Sequence, residues 1–144
     1  MARKETIVTV ESDDVNNRDR GKQFKLTEMS ASRAEAWAAR LLLCLAHSGV
    51  DLPQSALSAG MAGVAVVGAN ALAGISWADA KPLLDEMFEC IQIVPDPAHP
   101  TVVRRLIEDD IEEVSTRLWL RNQVLLLHTG FSFADALSRS TGTE

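Results

Sequence analysis

The sequence predicts a mainly α-helical α+β fold, an N-terminal β-hairpin resting on about four helices. Three observations carry this. Residues 5–28 hold two β-type runs separated by a polar, turn-rich stretch. Three later stretches repeat apolar residues at helical spacing. Residues 52–78 contain no Asp, Glu, Lys or Arg, so a helix there must be buried on all sides. At 144 residues the chain suits one domain, read as 1–137 with a polar tail at 138–144.

The hairpin comes first. Thr6, Ile7, Val8, Thr9 and Val10 are all β-branched, and 23–27 alternates, with Phe24 and Leu26 on one face and Gln23, Lys25 and Thr27 on the other. Between them, 13–21 reads as a long exposed loop closed by Gly21. An isolated hairpin is marginal, so it needs helices to rest on.

A helix over about 31–48 follows, capped by Ser30 or by Ser32, with Glu35 fitting a capping box after Ser32. Ala34, Trp37, Ala38, Leu41, Leu42 and Leu45 form its apolar stripe, and Gly49 is its expected C′ residue. The uncharged stretch supplies a central helix over about 54–73, with Gly60 and Gly63 as places where it can loosen. Its length would suit a membrane span. Its apolarity comes mostly from Ala and Gly, however, and its polar Gln54, Ser55, Ser58 and Asn70 would need partners in lipid. A packed helix is the preferred reading, with no membrane partner.

Ser76 caps a third helix over about 76–90, with Asp79 three residues on. Its stripe is Trp77, Ala80, Leu83, Leu84, Met87 and Phe88, and Pro82 lies near the tolerant first turn. Residues 91–94 can continue this helix or turn extended, and their β-branched content favours a short third strand. Residues 95–100 hold three prolines and make a stiff loop, after which 101–103 reads as extended. A last helix is expected over about 108–129. Glu108, Asp109, Asp110, Glu112 and Glu113 suit its dipole, Ile107, Ile111, Val114, Leu118 and Leu125 form its seam, Trp119, Leu120, Val124, Leu126 and Leu127 widen that seam beyond one stripe, and Gly130 stops it.

The net charge of −6 disfavours nucleic-acid binding, which needs clustered Lys and Arg. Cys44 and Cys90 read as small buried thiols rather than a disulfide framework. The amino terminus lacks the apolar core of a secretory signal, so a cytoplasmic location is expected. The acidic pairs Glu108/Glu112 and Asp109/Glu113 fit a solvated helix start better than a cation site. His47, His99 and His128 lack zinc-site spacing. His47 and His128 sit near helix ends that favour a cationic imidazole. A Cys44–His128 nucleophilic pair stays open, although thiols in Leu-rich surroundings are usually inert. Neither a phosphate loop nor a hydrolase or zinc-protease signature is present. We expect no enzyme, no cofactor and no metal.

Three stretches together resemble a known family. They are residues 21–42 (GKQFKLTEMSASRAEAWAARLL), 84–97 (LDEMFECIQIVPDP) and 106–131 (LIEDDIEEVSTRLWLRNQVLLLHTGF). The chain resembles the tail assembly chaperones of long-tailed bacteriophages over roughly residues 5–133. The resemblance implies a protein of the host bacterial cytoplasm that is not expected in the mature virion. It would bind the long, helical tape-measure protein, keep it soluble, and bring the major tail tube protein to it. In many relatives a frameshifted extension recruits the tube protein.

The resemblance carries no transferable binding residues. The residues' own chemistry offers apolar anchors at helical spacing. The candidate client-binding residues are Met61, Val64, Val67, Trp119, Leu120, Leu126, Phe131 and Phe133. A homo-oligomer stays open. The alternative is a non-catalytic dimeric helical regulator or an enzyme subunit, whose apolar helices are only core and dimer interface.

Overall fold

The computed structural model describes residues 3–47, 49 and 75–129. The expected central helix, the Gly130 stop and the polar tail lie outside the described residues. The fold is α+β: among the described residues, three α-helices accompany a four-stranded antiparallel sheet. The chain divides into two compact units, 1–28 with 87–127, and 29–86 with 128–144.

The first unit carries the sheet. Strands β1 (Glu5–Thr9) and β2 (Gln23–Thr27) form the expected hairpin, with Ile7 opposite Lys25. Phe24 and Leu26 are wholly buried, as the alternation requires. Strand β3 (Ile91–Val94) pairs antiparallel with β2, Leu26 facing Ile91 and Phe24 facing Ile93. The β-branched reading of this segment therefore holds. Burying Phe24, Leu26, Ile91 and Ile93 on one face gives the sheet its core.

A two-residue strand β4 (Arg104–Arg105) closes the order β1-β2-β3-β4. The extended stretch expected at 101–103 thus lies one step later. The loop before it is drawn in by Asp96, which accepts the Ala98 N–H at 3.0 Å and pairs with His99 Nδ1 at 2.8 Å.

The last helix differs most from expectation. A single 3-10 turn occupies Glu108–Asp110, an extended stretch follows, and α-helix begins only at Val114. The acidic residues therefore do not make the first turn of an α-helix. The seam differs in part: Leu120 and Val124, expected to widen it, are buried together with Thr116, while Val114 and Leu118 are exposed and Ile107 lies outside the helix. Of Ile107, Ile111, Val114, Leu118 and Leu125 only Ile111 is buried, ahead of the helix. Residues 118–127 are apolar on two faces, so periodicity alone left the phase open. The stripe that includes Thr116 is the one that packs.

In the second unit, helix α1 (Ala31–His47) buries Trp37, Ala38, Leu41, Leu42 and Leu45, the expected stripe. Ser30 occupies the N-cap position and its carbonyl accepts the Ala34 N–H, so Ser32 lies inside the helix and the Ser32–Glu35 capping box does not form. Gly49 adopts φ +88° and donates to the Ala46 carbonyl, the left-handed end that glycine supplies without strain.

Helix α2 (Trp77–Phe88) starts under Ser76, whose Oγ accepts the Asp79 N–H at 3.3 Å. Leu83 and Met87 are buried, but Trp77 is exposed and drops out of the stripe, because at the first helical position it has no preceding turn to pack on. Across the unit, buried Trp37 donates Nε1–H to the Leu83 carbonyl at 2.9 Å, and Arg40 meets Glu86 at 2.6 Å.

No helix among the described residues is long and apolar enough to cross a membrane.

The two tryptophans make a paired test. Trp37→Phe removes the indole's bond to the Leu83 carbonyl and part of a buried ring, and should cost about 1–3 kcal/mol in chemical denaturation. Trp77→Phe should change stability by less than about 0.5 kcal/mol. Equal effects would contradict this packing.

Candidate protein-binding surface

The described part of the candidate surface depends on how the chain enters the last helix, α3 (Val114–Thr129). Six charged residues fix that entry. Asp19, in the loop after β1, is fully buried, against the expectation of a uniformly exposed loop. Its carboxylate accepts the Glu112 N–H at 2.9 Å and the Glu113 N–H at 2.8 Å. These amides lie at the helix start, where backbone donors lack intrahelical partners. Asp19 therefore caps α3 from a segment more than ninety residues away in sequence.

Lys22 holds the arrangement from the side, donating to Asp19 Oδ1 at 3.0 Å and to the Asp110 carbonyl at 2.9 Å. Asp110 is the second buried carboxylate. Arg104 meets it with two nitrogens, at 2.8 and 2.7 Å, the bidentate geometry that gives strong, directional pairing. Asp110 also accepts the Ile107 N–H at 2.8 Å. Arg18 completes the set through Glu113 Oε1 at 2.7 Å and the Glu112 carbonyl at 2.9 Å.

This network explains the late helix start. The Ile107, Glu112 and Glu113 amides are taken by side-chain carboxylates, and such bonds compete with helical backbone bonding. It also explains the ionisation of both aspartates. Burial alone pushes the Asp19 carboxyl up; the Glu112 and Glu113 amides and the Lys22 ammonium outweigh it and hold the carboxyl below its ordinary value. The Arg104 guanidinium is the chief cause that lowers the Asp110 carboxyl, against burial.

The anchored segment leaves large apolar side chains in solvent. Ile107 is 62% exposed, Val114 74% and Leu118 61%. Val114 and Leu118 are four residues apart, so they share one face of α3. On the far side of the start, Phe88 lies under two guanidinium groups, Arg117 at 4.3 Å and Arg121 at 4.6 Å from the ring centre. Such stacking steadies the helix by about 0.5–1 kcal/mol per contact where partly exposed.

The expected binding residues are placed unevenly. Trp119 and Leu126 are partly exposed and stay available. Leu120 is wholly buried and is a core residue, because it falls on the packed stripe with Thr116 and Val124. Met61, Val64, Val67, Phe131 and Phe133 lie outside the described residues. Val114 and Leu118 were missed as surface residues because they were assigned to the seam. A count of stripes, two on one helix, was the signal that one of them had to face outward.

His128 stands in the last turn of α3, and the Met29 N–H donates to its Nε2 at 2.8 Å. Among the described residues no group of three or more His, Cys, Asp or Glu side chains is placed to hold a metal ion.

Asp19 yields a pH prediction with a definite sign. In the unfolded chain an aspartate titrates near about 3.9, above its depressed folded value. Its stabilisation is then present at neutral pH and lost as the pH falls through the folded value. Asp19→Asn should cost about 2 kcal/mol at neutral pH, and denaturation should show the gap from wild type narrowing below about pH 4. A gap that stays constant into strong acid contradicts the assignment.

No family model matches the chain, and neither a curated protein nor a solved structure does.

Proposed function

We propose that this chain is a tail assembly chaperone of a long-tailed bacteriophage, a non-catalytic protein that binds a helical tape-measure client and keeps it soluble in the host cytoplasm. The observation that carries the reading is the exposed Val114–Leu118 face of α3, held at its start by buried ionic contacts. A helical client inserts apolar side chains at i, i+3 and i+4. It therefore needs an apolar counter-surface that keeps its shape while unoccupied. The sequence resemblance over roughly residues 5–133 supplies the identity of the client. Trp119 and Leu126, partly exposed on the same helix, widen the contact. Delivery of the major tail tube protein, directly or through an extended form, belongs to the same proposal.

Co-expression with the tape-measure protein tests it. The client should become soluble and co-purify with the wild-type chain. Val114→Asp with Leu118→Asp should abolish co-purification while leaving the circular dichroism and melting temperature near wild type, because both side chains are solvent-exposed. Leu120→Asp, by contrast, should unfold the chain by burying an unpaired charge. A client that stays insoluble beside the wild-type chain overturns the chaperone reading. Retained binding by the folded double variant removes this face from it.

A further inference from the structure

Strand β1 is an edge of the sheet, and its outer side has no strand partner among the described residues. The hydrogen bonds define which groups point outward. Val10 donates to the Lys22 carbonyl and accepts from Gly21, and the Lys4 carbonyl accepts from Glu28. The even-numbered residues therefore bond inward to β2. By the strand's period of two, Glu5, Ile7 and Thr9 turn their N–H and C=O groups away from the sheet. Proteins usually blunt such an edge with proline, a bulge or inward-pointing charge. This one is five regular residues, ETIVT, with Ile7 42% exposed at its centre.

We propose that β1 pairs with β1 of a second copy of this chain, antiparallel about a two-fold axis through Ile7, to give one continuous eight-stranded sheet. The strand is self-complementary in that register. Ile7 meets its own copy, Glu5 lies opposite the partner's Thr9, and Thr6 opposite the partner's Val8. Two residues further along, Arg3 falls opposite the partner's Glu11, and symmetry repeats the pair at the other end. Arg3 and Glu11 are both exposed, and neither has a salt bridge among those between described residues. Glu5 is already neutralised by Lys25 at 3.1 Å, so no like charges meet at the centre.

The outward groups of Ile7 exchange both backbone bonds with their copies, which places the two Cα atoms about 5.5 Å apart. Beside Ile7, an open hollow of about 430 Å³ is lined by Glu5, Lys25, Pro100 and Thr101. The second copy is preferred over a foreign strand because the charge pattern complements itself. The proposal is independent of the chaperone reading, since it needs no client.

Sedimentation of the purified full chain without client tests it. Wild type should show a concentration-dependent dimer. Ile7→Pro removes an outward N–H and spares the β1–β2 ladder, so it should abolish the dimer while the fold is retained. Arg3→Glu should weaken dimerisation about tenfold through two symmetric repulsions, and Arg3→Glu with Glu11→Arg should restore it. Ile7→Cys gives a reading that does not depend on the proline variant folding: mild oxidation should link two copies, the separation being within disulfide reach, whereas Val15→Cys should not. A monomeric wild type, or an oligomer indifferent to the Arg3 and Ile7 variants, overturns the proposal.

Discussion

The first unit depends on one buried carboxylate. Asp19 is wholly excluded from solvent, and a charge in that position is tolerable only when its lone pairs are filled. Two backbone amides and an ammonium group fill them. The amides belong to the start of α3, so the loop between β1 and β2 and the last helix are positioned by the same atoms. Breaking such a site by removing one partner is costly, because the other groups stay buried without compensation. Asp110 and Arg104 extend the arrangement to the sheet's short fourth strand. Loop, strand and helix start thus share one set of polar contacts.

That arrangement has two consequences for surfaces. It delays the helix to Val114 and fixes its rotation, so that Thr116, Leu120 and Val124 go inward and Val114 and Leu118 outward. It also holds the β1–β2 loop at one end of the sheet, which leaves the opposite edge of β1 as a regular strand. A recognition surface on a rigid element loses less conformational entropy on binding than one on a loop. The apolar face of α3 and the open edge of β1 are both of this kind, and they are separate features of one unit.

Much of the fold was legible because local rules act locally. The alternation over 23–27 set which side chains enter the core, and Phe24 and Leu26 are indeed wholly buried. Ser76 and Gly49 mark helix ends through contacts within a few residues. The α1 stripe holds because one face of that helix is plainly more apolar than the other. What escaped depends on contacts distant in sequence. Nothing near Asp19 signals that it caps a helix beginning at Val114, and Arg104 has no periodic relation to Asp110. The acidic run 108–113 looked like a helix start because its charge suits the dipole; in the fold its amides serve buried carboxylates instead. On α3 the sequence offered two apolar stripes, and choosing between them required the helix start that only those distant contacts define. The surface reading suffered accordingly, with Leu120 offered for binding although it also belonged to the widened seam, and Val114 and Leu118 placed inside.

Native-state hydrogen exchange at the Glu112 and Glu113 amides tests the central claim most directly. If Asp19 caps the helix start, these amides open only with the unit, and their protection should approach that of buried core amides such as Leu120 and Val124. In Asp19→Asn they should lose protection well before the core does. If in the wild-type chain they exchange at rates near those of an exposed loop, the buried carboxylate does not hold the helix start, and the account of both its register and its exposed face is wrong.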